Sequence, residues 1–236
     1  MRNLMLYMLQ YYVRSYRYVS VLVVFIICTA LIYSYKPISL GSNYSLTCTL
    51  MFLVSAWLAA GFIEVEAITQ QQLTILYAKS ENRYYMAKIL LVWLLSFILS
   101  SIIIVYPVIF DFFVRPISGP ELVGVFLAHG ATGLLGIAVA VLFEARLISN
   151  RRTAILALVA LLTVSAAGII LIKEYPFATY LSWILPPVSL MAEELMSLDL
   201  DEPTSYFSFV VAMGYSVLYS GILLVLYVKL MKRKLF

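Results

Sequence analysis

The 236-residue chain is 64% hydrophobic and 12% charged, with a mean hydropathy of +0.99; a soluble domain carries about a quarter charged residues, so the composition points instead to a polytopic membrane protein. Its net charge of +4 comes from cations gathered at the ends of apolar runs, a placement that suits membrane topology and anionic lipid, not nucleic acid. Cys28 and Cys48 both lie in apolar runs without CxxC spacing, which supports neither a disulfide framework nor a metal site.

Residues 1–18 carry Leu4, Met5, Met8, Leu9, Tyr12 and Val13 on one stripe at helical period, with Asn3, Gln10, Arg14 and Arg17 on the other face. This predicts an amphipathic helix lying in the membrane interface. Apolar runs then fall near 19–35, 46–63, 88–110, 121–143, 153–172 and 206–228. A hydrocarbon core of about 30 Å needs roughly 17 to 25 helical residues. Lipid also requires every backbone polar group to be paired within the segment, and none of these runs alternates with period two. The expected fold is an all-α integral membrane protein of six transmembrane helices forming a single transmembrane domain over 1–236. The first run is read as a span, not a cleaved signal, because five more follow it.

With both termini in the cytoplasm, 13 of the 16 Lys and Arg residues fall inside, leaving Lys36, Arg115 and Lys173 outside, as the positive-inside rule requires. The expected location is the cell membrane.

Between the second and third runs, "EVEAITQQQLTILYAKSENRYYMAK" interrupts the apolar pattern. Thr69 and Gln72 have the spacing of a capping box, which predicts a short helix from Thr69 to Lys79. Leu73, Leu76 and Tyr77 share one face of it, and Ser80 with Glu81 offers a second helix start. Such an element suits docking; equally, the second span could run on as a solvated helix. Glu64 and Glu66 sit at the foot of the second span about 200° apart on a helix, so one is expected to face the bundle. Arg14 or Arg17 of the N-terminal helix is the expected partner.

The fourth run contains "HGATGLLGIAVAVL", whose Gly130, Gly133 and Gly136 read as a helix-packing face. His129 would lie about 12 Å from the outer end of this span. An ionisable group at that depth is a candidate for substrate or proton handling; the alternative is a neutral imidazole bonded to a neighbouring helix. The outer segment between the fifth and sixth runs, "LSWILPPVSLMAEEL", predicts one or two short helices over 177–198, broken at Pro186 and Pro187.

Chemistry-bearing motifs are scarce. The nearest approach to a P-loop, Gly119 to Gly124, is followed by Val125 and Phe126 instead of Lys and Ser/Thr. One histidine supplies no HExxH zinc site. No catalytic residue, metal or cofactor is expected in this chain.

An interfacial N-terminal helix, six spans, a polar helix between the second and third, "RLISNRRTAILALVALL" leading into the fifth, and "LSWILPPVSLMAEEL" before the sixth together resemble the type 2 permease subunits of ATP-binding-cassette transporters. The likeness covers nearly the whole chain in layout, although "AKSENRYYMAK" lacks the proline often found there. It implies a permease that pairs with a second, identical or different, copy and with two separate ATPase subunits, which bind the ATP and Mg. It also implies that Gln70, Gln71, Gln72, Leu73, Ile75, Leu76, Tyr77 and Lys79 form the coupling helix seated on an ATPase. The implied activity is ATP-driven export of an amphipathic substrate such as an antimicrobial peptide, a lipid-like molecule or a drug. An ion-coupled carrier, or a membrane sensor or scaffold without an ATPase, remains the alternative.

Overall fold

The computed structural model describes residues 1–148, 150–174, 184–199 and 206–233. Among them the structure is all-helical. α1 (Arg2–Arg14) meets α2 (Tyr18–Ile32) at a bend of 77°. The bend is made by a short turn in which Tyr16 takes the left-handed conformation at φ 55°, and the Ser15 hydroxyl donates to the Tyr12 carbonyl at 2.6 Å. α1 lays Met8 and Tyr12 into the core, with the Tyr12 ring 4.8 Å from that of Phe62. Leu4, Met5 and Leu9 pack on the same side, as the stripe predicts, but Val13 is exposed.

α3 (Leu40–Ile63), α5 (Glu81–Ile109), α6 (Gly119–Val141) and α10 (Tyr206–Arg233) are long and apolar enough to cross a membrane. Counting the bent α1–α2 pair as one crossing gives a fifth. The chain is therefore a multi-pass membrane protein. Two expected spans differ from the sequence reading. The first stops at Ile32, because the chain turns at Tyr33, whose hydroxyl is held by the Ile103 carbonyl at 3.0 Å and by Asn43 Oδ1 at 3.1 Å. The fifth is divided at Ala167 into α7 (Arg151–Ala166) and α8 (Gly168–Glu174); hydropathy alone carries no mark of that break.

α3 and α6 run parallel and form the centre of the bundle. Thr47 meets His129, Cys48 meets Thr132, and the Phe52 carbonyl lies against Gly136. A Cβ at Gly136 would collide with that carbonyl and with the Ser55 hydroxyl. A Cβ at Gly133 would stand 2.8 Å from Ser96 Oγ on α5. On the Gly130 side of α6, Trp93 Nε1 of α5 donates to the Gly130 carbonyl at 3.0 Å. The three glycines thus let α6 approach two neighbours at once, which is how helices gain packing contact where lipid supplies no hydrophobic drive between them.

At the end away from α1, α9 (Val188–Met196) buries Val188, Met191, Ala192 and Leu195, the i, i+3, i+4, i+7 stripe of an amphipathic helix. It follows Pro187, as the Pro-Pro pair predicts; residues 177–183 of that expectation lie outside the described residues. The 3₁₀ turn Ser197–Asp199 then delivers Asp199 to the start of α3. Its carboxylate accepts from the Ser39 hydroxyl and, at 2.8 Å each, from the Gly41 and Ser42 amides. Partial burial would raise this carboxyl, but these donors, Ser39 first, hold it below its ordinary value.

The Gly136 contact gives a direct test. Gly136→Ala should lower stability by about 1–3 kcal/mol through overpacking, seen as a lower midpoint of thermal unfolding in detergent. Gly221→Ala, where an added Cβ meets nothing within 4 Å, should be neutral or slightly stabilising.

Candidate functional site

The polar elements converge at the end of the bundle that carries α1. α4 (Ile68–Ala78) leaves α3 through a four-residue turn. It begins one residue before Thr69, with Ala67 at its N-cap position and no side-chain cap, so the expected capping box does not form. The turn is instead set from outside: Glu66, buried, accepts from the Tyr84 hydroxyl of α5. α4 ends at Lys79, which takes the left-handed conformation at φ 57° and returns its N–H to the Leu76 carbonyl at 3.2 Å. α5 starts directly after Ser80, as the second start signal predicts.

The eight expected coupling residues divide between two faces. Gln71 and Ile75 are buried against the bundle, and Gln70 Nε2 donates to the Tyr7 hydroxyl of α1 at 2.6 Å. Gln72, Leu73, Leu76, Tyr77 and Lys79 face outward. Leu76 and Tyr77 are 73% and 93% exposed, and Ile68, not singled out from sequence, is 61% exposed at the start of the helix. The helix is therefore not a simple amphipathic one: Gln71 and Thr74 are buried together with Ile75, while Leu73, Leu76 and Tyr77 point away from the rest of the chain.

Under α4 lies a buried charged network. Lys88 of α5 donates to the Ile63 carbonyl at 2.9 Å and to the Tyr84 hydroxyl at 3.3 Å, and its ammonium stands 3.8 Å from the Glu66 carboxylate. Glu144, in the turn after α6, accepts from the Tyr227 hydroxyl of α10 at 2.7 Å. Burial pushes the Glu144 carboxyl up, against the pull of the Lys88 ammonium and the Tyr227 hydroxyl. Tyr84, Tyr85 and Tyr227 stack edge to face and close the network from water. The C-terminal ends of α3 and α6, the start of α5 and the last turns of α10 are tied together here.

Glu64 and Glu66 do diverge, and Glu66 is the one that faces the bundle. Their partners differ from those expected. The Glu64 carboxylate pairs with Arg151 of α7 at 3.0 Å, and Arg17 reaches only the Glu64 backbone carbonyl, at 2.9 Å. Arg14 is exposed at the end of α1. The expected N-terminal pairing fails because Tyr16 turns the chain sharply, which aims Arg17 at the backbone of the α3 terminus. The true partners, Arg151 and Lys88, are remote in sequence or lie in a run that reads as span.

A cavity of about 850 Å³ opens beside this network, between α2, α3 and α7. Arg17, Glu64, Glu144 and Arg151 stand at its loop end, and Leu53, Trp57 and Leu158 are among its apolar walls. His129 is elsewhere. It is fully buried between α3 and α6, its Nδ1 donating to the Val125 carbonyl at 2.8 Å and its Nε2 3.0 Å from Thr47 Oγ1. With Nδ1 as donor, a neutral ring accepts at Nε2 from the Thr47 hydroxyl. Nδ1 is therefore used within α6 and Nε2 between helices, and the ring borders no described cavity.

Comparison with protein-family profiles, with curated proteins and with solved structures finds no match.

The buried pair predicts a non-additive mutant cycle. Lys88→Met leaves Glu66 buried without its cation and should cost roughly 3–5 kcal/mol. Adding Glu66→Gln should return at least half of that loss, measured by thermal unfolding in detergent; simple additivity of the two losses would mean that the residues act independently.

Proposed function

We propose that this chain is the membrane subunit of an ATP-driven exporter, working with separate ATPase subunits that dock on α4. The observation that carries this reading is the exposed apolar face of α4. Leu73, Leu76 and Tyr77, at i, i+3 and i+4, form an exposed apolar patch on a short helix at the charged end of the bundle. Large exposed apolar patches rimmed by polar groups mark interaction sites, and an aromatic flanked by aliphatics is typical of an interface anchor.

The links behind α4 support a coupling role. A push on the helix reaches α1 through Gln70 and Tyr7, and reaches α5 through Glu66, Tyr84 and Lys88. The short turn before α4 and the single left-handed residue after it leave little slack. In the proposed layout, α2 and the divided α7–α8 unit complete six crossings, with both termini and α4 on the cytoplasmic side of the cell membrane. A second permease copy forms the other half of the transporter, and the substrate is an amphipathic molecule such as a peptide, a lipid-like compound or a drug.

Pull-down of the full-length protein from its native membrane should recover an ATPase bearing a P-loop. The double substitution Leu76→Asp, Tyr77→Asp should reduce that recovery at least about tenfold, the scale expected for loss of an interface anchor, while membrane insertion stays normal. Undiminished recovery would refute docking on α4.

A further inference from the structure

The cavity between α2, α3 and α7 has a chemistry of its own. Its charged mouth and its apolar wall are separated along the helix axes: Arg17 and Arg151 mark one end, and Leu162 and Thr163 lie toward the other. From Arg151 to Thr163, α7 rises about 18 Å. One leaflet of a bilayer contributes about 15 Å of hydrocarbon, half the thickness of the core. The apolar wall is therefore as deep as one leaflet, and the mouth lies at headgroup level.

The mouth favours an anion. Arg17 spends one N–H on the Glu64 carbonyl, and Arg151 meets the Glu64 carboxylate through Nη2. Each guanidinium has five N–H donors in a planar fork, so donors remain on both. Glu144, the other acid at the mouth, is turned toward Tyr227. The walls favour a chain: Trp57, Ile155 and Val159 line the cavity and are each close to half exposed. A cavity of about 850 Å³ lies within the usual range for a bound small molecule, roughly 300–1,000 Å³.

We propose that this cavity binds a phospholipid with an anionic headgroup, its phosphate between Arg17 and Arg151 and an acyl chain along Trp57, Val159 and Leu162. A second copy of this chain fits less well. A two-fold contact sets the same patch against itself and would bring the two arginines of one protomer toward those of the other. The site stands apart from ATPase docking, and its test reads lipid binding alone.

The test uses Trp57 as the reporter in the full-length chain carrying Trp93→Phe and Trp183→Phe, which leaves no other tryptophan. The protein is reconstituted into phosphatidylcholine vesicles containing increasing amounts of brominated phosphatidylglycerol or, separately, brominated phosphatidylcholine. The anionic lipid should quench Trp57 at about tenfold lower mole fraction than the zwitterionic one, as expected for two arginines at the membrane surface. Arg17→Gln with Arg151→Gln should bring the two lipids to parity. Ile155→Phe with Val159→Phe, which fills the wall and keeps both arginines, should weaken quenching by both. Equal quenching by the two lipids in the parent protein would overturn the proposal. So would a preference that survives loss of both arginines, or one that millimolar inorganic phosphate abolishes, because the site would then bind an ion and not a lipid.

Discussion

The tie from Glu66 to Tyr84 and Lys88 is the constraint on which the charged end of this protein depends. It fixes the chain two residues before α4 begins, so the orientation of α4 follows from it. An ion pair taken out of water is tolerated only with further hydrogen bonds around it. Here the Ile63 carbonyl and the Tyr84 hydroxyl supply them to Lys88. Glu66 Oε1 has no hydrogen-bond partner, so the network is incompletely satisfied. A tie of this kind holds two helices in register while remaining sensitive to movement of either.

Packing above the network gives it something rigid to act on. α3 and α6 approach so closely at Gly136 that no side chain fits between them, and Asp199 anchors the far end of α3 by binding its first free amides. A helix N-terminus leaves its first amides unpaired, and here a carboxylate from a remote turn satisfies two of them. α3 is thus held at both ends and along its middle. α10, by contrast, exposes Phe207, Leu218 and Ile222 along its length and buries a narrower stripe of Ala212, Ser216, Ser220, Tyr227 and Met231. Movement transmitted through the network would meet a stiff pair on one side and a lightly packed helix on the other.

Much of the architecture is legible in the sequence because it depends on local pattern. The long apolar runs of α3, α5, α6 and α10, the helix start after Ser80, the glycine face of α6, and the shared face of Leu73, Leu76 and Tyr77 all rest on period and spacing. What the sequence conceals is tertiary. Composition does not show that Tyr33 ends α2 by binding across to Ile103, or that α7 and α8 separate at Ala167. The capping-box spacing at Thr69 is outweighed by the Glu66 contact, which places the helix start one residue earlier. Lys88 reads as the edge of a span; only the fold turns it toward Glu66. The candidate site is legible as a helix with an apolar face, but that this face points away from the bundle is a fact of three dimensions.

The most direct test of the central claim places a photo-activatable amino acid at Tyr77 in the otherwise intact protein and irradiates living cells. Docking on α4 predicts an adduct with a P-loop ATPase from this position, and none when the same group replaces Leu156, which is 70% exposed on α7. Absence of an ATPase adduct from position 77, or equal yield from both positions, would contradict the account.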